Sequence, residues 1–384
     1  MLWASLFLVA VCEAASYGSV LDLPGSAPIA VSGTVLVVAQ PPAALALYEQ
    51  TVSAWVLRRR LLTNASATNA GVTDVAGNLI VVAQTESLFF FRFNSSDSGD
   101  GEVTNLAPVF ATSGVKCISV HIVNSTVYCG SCSQVLQCAR VLMFEEQSPN
   151  VWQAAGSIDS PDPASQAFGG QIVGGDRVLA VSDYYYGGRD EGGVFFYERG
   201  SGGDAWQLVG QVRGTQGGEE LGCGLAIDPA ESTVMAGSHQ HMAHLYSRNA
   251  SGGWEERSVL TQAQDSFGLN GRFLQNGELL VVQSASAVNI FDTADLSLLQ
   301  SIPLIYTGLA VRFGLASVVG GSTFLAAQQN AGVAVFGLVP PPISAVVIAC
   351  TVLVVVALVA IVVGFFVVRC VRQRRRASYA QLRD

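Results

Sequence analysis

Residues 168–209 read FGGQIVGGDRVLAVSDYYYGGRDEGGVFFYERGSGGDAWQLV. Four apolar runs stand in that stretch, at 168–172, 178–181, 193–197 and 206–209, with glycine and charged residues filling the gaps. Runs of four or five residues rich in valine and aromatics have the length and composition of strands. The runs are apolar without strict alternation, as expected of strands covered on both faces. The stretch reads as one four-stranded unit whose tryptophan-bearing run is outermost.

The unit recurs along the chain. An apolar run followed by a polar residue appears at Ala39-Gln40, Ala83-Gln84, Gly130-Ser131, Val181-Ser182, Gly237-Ser238, Val282-Gln283 and Ala327-Gln328, spaced 44 to 56 residues apart. After each comes a second run with an aromatic: Tyr48, Phe91, Phe144, Tyr197, Tyr246, Phe291 and Phe336. Trp55, Trp152, Trp206 and Trp254 hold equivalent outer positions. A period of this size with short strands in every copy is the signature of propeller blades. The expected fold is all-β, a seven-bladed β-propeller over 17–339. The last copy lacks an outer strand, and 19–23 has no other partner. That N-terminal strand is therefore expected to close the final blade and remove an open edge.

The two ends predict a membrane topology. An apolar stretch at 2–11 followed by Cys12-Glu13-Ala14-Ala15-Ser16 reads as a signal peptide over 1–16. Residues 343–368 hold no charge in 26 positions. As a helix they would extend about 39 Å, enough to cross a hydrocarbon core of roughly 30 Å. Pro340-Pro341-Pro342 forms a stiff linker ahead of them. Arg369, Arg372, Arg374, Arg375 and Arg376 follow, and positive charge beside a span marks the cytosolic side. The expectation is a type I protein at the plasma membrane, cycling through endosomes, with one C-terminal transmembrane helix and a basic tail at 369–384.

Charge narrows the partners. Six arginines and one acid in the tail leave 14 basic and 27 acidic residues in 17–342, a net of −13 outside. So acidic an exterior argues against nucleic acid as ligand. One lysine, Lys116, in the whole chain removes the P-loop motif. Asn64, Asn94, Asn124 and Asn249 open sequons, all in the exterior part.

Phe168-Gly169, Leu221-Gly222, Phe267-Gly268 and Phe313-Gly314 each open a unit, and the adjoining tryptophans and 192–197 complete a pattern. In these residues the chain resembles the FG-GAP repeat family, the propeller unit of integrin α-subunit heads, over roughly 150–339. The resemblance implies a propeller ectodomain that binds ligand on the face of its extended hairpins. Gly364-Phe365-Phe366-Val367-Val368-Arg369 is similar to the membrane-exit motif of integrin α chains, with one extra residue. The family's calcium loops are missing between first and second strands, and there is no leg region. No cofactor is expected.

Distances from the polar residue ending the second run to the aromatic of the third are 8, 7, 13, 15, 8, 8 and 8. Two neighbouring units thus carry longer hairpins on one face. The fourth supplies Asp183, Tyr184, Tyr185, Tyr186, Arg189 and Asp190. Tyrosine and arginine give large contact area at low entropic cost, so these are the expected ligand-binding residues, for an extracellular protein or glycan. His239, His241 and His244 in the next unit are a candidate metal or pH-sensing group, with an ordinary loop as the alternative. Cys117, Cys129, Cys132 and Cys138 cluster in the third unit and are expected to form one or two disulfides, leaving Cys223 over.

The tail adds short signals. Tyr379-Ala380-Gln381-Leu382 fits the pattern read by clathrin adaptors, Ser378 follows a basic kinase-type stretch, and Cys370 suits palmitoylation. The function expected is a non-enzymatic, adhesion- or receptor-like surface glycoprotein. An endolysosomal sorting receptor is the alternative, and a propeller hydrolase the third reading, for which no catalytic motif is evident.

Overall fold

The computed structural model describes residues 16–24, 27–32, 35–40, 44–50, 55–61, 72–84, 86–93, 104–106, 108–134, 137–163, 165–200, 205–262, 267–284, 286–303, 319–320, 324–329 and 332–339. Two compact units divide the chain, Tyr17–Leu338 and Met1–Ser16 with Val339–Asp384. Of the second, only Ser16 and Val339 are among the described residues. The expected leader up to residue 15, proline linker, membrane span and tail lie outside them. No helix among the described residues is long and apolar enough to cross a membrane.

The fold is all-β and propeller-like. Strand β1 (Ser16–Pro24) comes first, and β2 (Ala27–Ser32), β3 (Val35–Gln40), β4 (Ala44–Gln50) and β5 (Trp55–Leu61) form an antiparallel meander. Next come β6 (Val72–Ala76), β7 (Leu79–Gln84) and β8 (Ser87–Arg92). Short β9 (Thr104–Leu106) returns to β5 as a parallel edge, and β10 (Phe110–Ser113) completes the second sheet beside β8. Strands β11 (Cys117–Val123), β12 (Thr126–Gln134), β13 (Gln137–Ser148) and β14 (Val151–Asp159) make a third meander. It joins β15 (Ala167–Gly174), β16 (Val178–Asp183), β17 (Gly193–Glu198) and β18 (Gln207–Arg213) through a two-residue parallel pairing of β13 with β15.

Two further meanders follow. They are β19 (Leu225–Ile227), β20 (Thr233–Ser238), β21 (Met242–Arg248) and β22 (Trp254–Thr261), then β23 (Asn270–Leu274), β24 (Leu279–Gln283), β25 (Ala287–Asp292) and β26 (Leu298–Pro303). The final sheet runs β1, β29 (Gly332–Val339), β28 (Phe324–Gln329), β27 (Val319–Gly320), so the first and last strands are neighbours. The inner edge strands touch in succession, β2 to β6, β6 to β11, β11 to β15, β15 to β19, β19 to β23, β23 to β27 and β27 to β2.

The core lies between sheets rather than at one centre. Val37 and Leu47 pack with Ile80, Val82 and Phe91 of the next unit, and Val81 and Phe90 pack in turn with Val127, Cys129 and Phe144. Strands β7 and β16 are buried along their whole length, which explains their continuous apolar sequence. Each fully buried Val, Leu or Phe contributes about 1.5–3 kcal/mol. Outer-strand tryptophans seal the seams: Trp152 lies 4.7 Å from Phe90 and Trp206 meets Tyr128 edge-on at 6.1 Å, each ring reaching the preceding unit.

The glycine of the aromatic- or leucine-glycine pairs has one physical cause. Gly169, Gly222 and Gly268 take φ of +85°, +93° and +93°, a region that penalises any Cβ. There is no room for one either. A Cβ on Gly237 would overlap the Gly268 carbonyl oxygen, and one on Gly130 would overlap that of Gly169. The compact residue ending the second strand and the glycine opening the next unit are thus two sides of one close backbone approach.

Candidate functional site

Strand β16 delivers Asp183 to the base of the long hairpin, and β17 resumes at Gly193. Asp183 is not a surface residue, contrary to the expectation that it would meet a ligand. It is fully buried, and its carboxylate accepts from the Ser165 hydroxyl and from the Ala167 and Tyr185 N–H groups at 3.2 Å. Burial raises its pKa, against those hydrogen bonds. The side chain shapes the loop.

The tyrosines divide between support and display. Tyr186 packs on Phe195 at 5.2 Å, under the Arg213 guanidinium at 5.4 Å. Tyr184 and Tyr185 meet edge to face at 4.7 Å. Burial pushes the Tyr184 hydroxyl up to about 12, so it stays protonated. Arg189 and Asp190 are exposed at the tip, and Asp190 has φ +56°. The Arg189 N–H donates to Glu191 Oε2 at 3.0 Å, holding that carboxyl below its ordinary range, and Arg213 lies 3.3 Å from the same oxygen.

A segment that sequence reasoning passed over fixes this tip. Gly218 N–H donates to Arg189 O at 2.8 Å, Glu220 N–H to Asp190 O at 3.0 Å and Leu221 N–H to Glu191 O at 3.0 Å. The link 214–221 is therefore laced to the hairpin by main-chain bonds. Glu219, 1 % exposed, organises the link itself: its Oε2 accepts from Thr215 N–H at 2.7 Å and Gln216 N–H at 3.0 Å. The only sequence cue was a pair of acids beside a glycine pair.

The histidines engage carboxylates separately. His239 Nδ1 lies 3.6 Å from Glu220 Oε2, while buried His244 lies 3.6 Å from Glu219 Oε1 and 2.9 Å from Glu256 Oε2. His241 sits at the turn with φ +64°. No group of three or more His, Cys, Asp or Glu side chains suited to a metal exists among the described residues, so His239, His241 and His244 do not form the candidate metal set. Burial raises the Glu220 pKa, with His239 opposing.

The third unit's long hairpin is a β-ribbon extending β12 and β13. One disulfide staples it, Cys132–Cys138, with a Cα separation of 3.9 Å, and a second, Cys117–Cys129, ties β11 to β12 at 5.4 Å. Cys223 is free and buried. Asn124 is exposed and its amide donates to Asp176. Asn249 organises its own turn, its Oδ1 accepting from Ser251 Oγ at 2.7 Å and Gly253 N–H at 2.9 Å. Asn64, Asn94, Cys370, Ser378, Tyr379 and Leu382 lie outside the described residues. No protein-family model and no curated protein matches this chain.

Proposed function

We propose that the chain is a single-pass type I surface glycoprotein whose ectodomain is a seven-bladed FG-GAP-type propeller, closed by β1 and non-enzymatic in action. The succession of neighbouring inner strands and the β1–β29 pairing support the closed ring. The uncharged stretch 343–368 and the arginines after it support the anchor and its orientation.

Ligand engagement falls to the hairpin of the fourth blade, for an extracellular protein or glycan. The observation that carries this is preorganisation: exposed Arg189 and Asp190 stand on a tip tied by three main-chain bonds to 214–221, so little ordering cost remains on binding. Tyr185 supplies the adjacent aromatic surface. The test uses recombinant 17–339 applied to intact cells and to immobilised glycans. Arg189→Ala with Asp190→Ala should lower capture at least tenfold with unchanged unfolding; undiminished capture rejects the site. The sorting reading rests on Tyr379 and Leu382, and Tyr379→Ala should raise surface level if it holds.

A further inference from the structure

His244 stands between two carboxylates carried by different segments. Glu256, on β22, accepts from Nδ1 at 2.9 Å, and Glu219, in the link 214–221, places Oε1 3.6 Å from Nε2. The cross-strand neighbours on β20 and β22, Ala236 and Val259, carry no charge. The Tyr246 ring lies nearly parallel at 6.2 Å, and burial keeps its hydroxyl protonated.

A carboxylate only accepts, so Nδ1 carries one hydrogen and Nε2 alone is left to gain or lose a proton. Nε2 is buried and makes no hydrogen bond. With a proton between Nε2 and Oε1, the ring is a cation that draws the oxygen across the gap. Without it, a lone pair faces an anionic oxygen. Glu219 feels the difference most, being almost wholly buried while Glu256 is half-exposed. A buried carboxylate without a cation beside it is costly.

Glu219 also shapes the link. Its Oε2 accepts from the Thr215 and Gln216 N–H groups, and its carbonyl accepts from His239 N–H at 2.8 Å. The next two residues, Glu220 and Leu221, donate to Asp190 O and Glu191 O at the hairpin tip. A change at His244 thus passes through one side chain to the backbone bonds that hold 189–191.

We propose that His244 is a proton-operated latch for the fourth-unit hairpin. The doubly protonated ring bridges Glu256 and Glu219 and holds the link; loss of the Nε2 proton loosens link and tip together. The consequence, firmer ligand capture in an acidified compartment, rests on the reading of that hairpin as the ligand site. Asp183, Glu220 with His239, and Glu191 with Arg213 also border the hairpin, and burial raises the first two carboxyls. They are common to wild type and the variants below, so a difference between proteins isolates the ring.

Hydrogen exchange of full-length protein in detergent, read by peptide mass spectrometry, tests this without a ligand. Rates are compared at pH 5.5 and 8.0 after scaling for intrinsic amide exchange. In wild type, peptides covering 184–191 and 214–221 should exchange about fivefold faster at pH 8.0, with 79–84 of β7 unchanged. His244→Gln and Glu219→Gln should each lose that pH dependence. The second keeps an acceptor for the Thr215 and Gln216 N–H groups, so it decides the matter even if the first fails to fold. Equal rates at both pH values in wild type, a change shared by 79–84, or the wild-type change persisting in either variant overturns the proposal. Capture undiminished in the Arg189→Ala, Asp190→Ala protein would reject the ligand reading alone, since the exchange measurement involves no ligand.

Discussion

Trp254 lies flat on Phe196, with ring centroids 4.5 Å apart and planes 6° from parallel, although the two residues belong to different four-stranded units. The stack closes the seam between β17 and β22 at its outer end. Because Trp254 is half-buried, Trp254→Ala is expected to cost about 2–3 kcal/mol, below the 3–5 typical of a fully buried tryptophan. Trp254→Phe should recover most of it. Urea unfolding of the three proteins measures the difference.

Gly237→Ala tests the close approach of neighbouring units. Its Cβ has no space beside the Gly268 carbonyl, so backbone must move, and a loss of about 3 kcal/mol or more is expected. Gly188→Ala is the control: nothing lies within 4 Å of the added carbon, and the change should stay within about 0.5 kcal/mol. Equal effects of the two would refute the packing argument.

Asp183 predicts a pH dependence. Its folded-state pKa is raised, so the native chain holds the proton more tightly than the unfolded chain, whose aspartate titrates near 3.9. The contribution is complete below that value and is lost as pH rises through the folded one. Wild type should therefore lose stability relative to Asp183→Asn over that interval. Denaturation series in parallel buffers give the difference; a gap that widens in the opposite direction rejects the assignment.

Cys223 should be inert while the protein is folded. It is buried, and desolvation pushes its thiol up to about 12, which leaves almost no thiolate at pH 8. Iodoacetamide labelling followed by peptide mass spectrometry should find Cys223 unmodified in native protein and modified in urea.

Removing the Cys132–Cys138 staple should loosen the ribbon without unmaking the sheet. Cys132 and Cys138 close a span of 6 residues, for which chain entropy gives about 2 kcal/mol. The Cys132→Ser, Cys138→Ser double variant should lose about that amount in urea unfolding.

Much of the fold was legible because its physical causes are local. The runs at 178–181 and 193–197 are apolar without alternation because both faces of β16 and β17 are covered, and the structure places strands there. The glycine of Phe267-Gly268 was legible as a repeat mark, but its cause, a backbone contact with Gly237, joins residues distant in sequence. The site was legible in outline only. Tyr184, Tyr185 and Tyr186 announced a hairpin, yet the burial of Asp183 depends on Ser165 from a preceding link, and Glu219 works by bonds to Thr215 and Gln216 that charge pattern does not reveal.

The pairing of β1 with β29 bears on how the molecule is made. Those strands stand more than 300 residues apart (332 − 24 = 308), so the contact has the highest sequence separation in the sheet system. Its closure entropy must be met before any stabilisation returns. While the nascent chain emerges from the ribosome, β1 waits with unpaired backbone groups until β29 has been synthesised. That waiting edge is where a chaperone would bind, and where two unfinished chains would join by mistake.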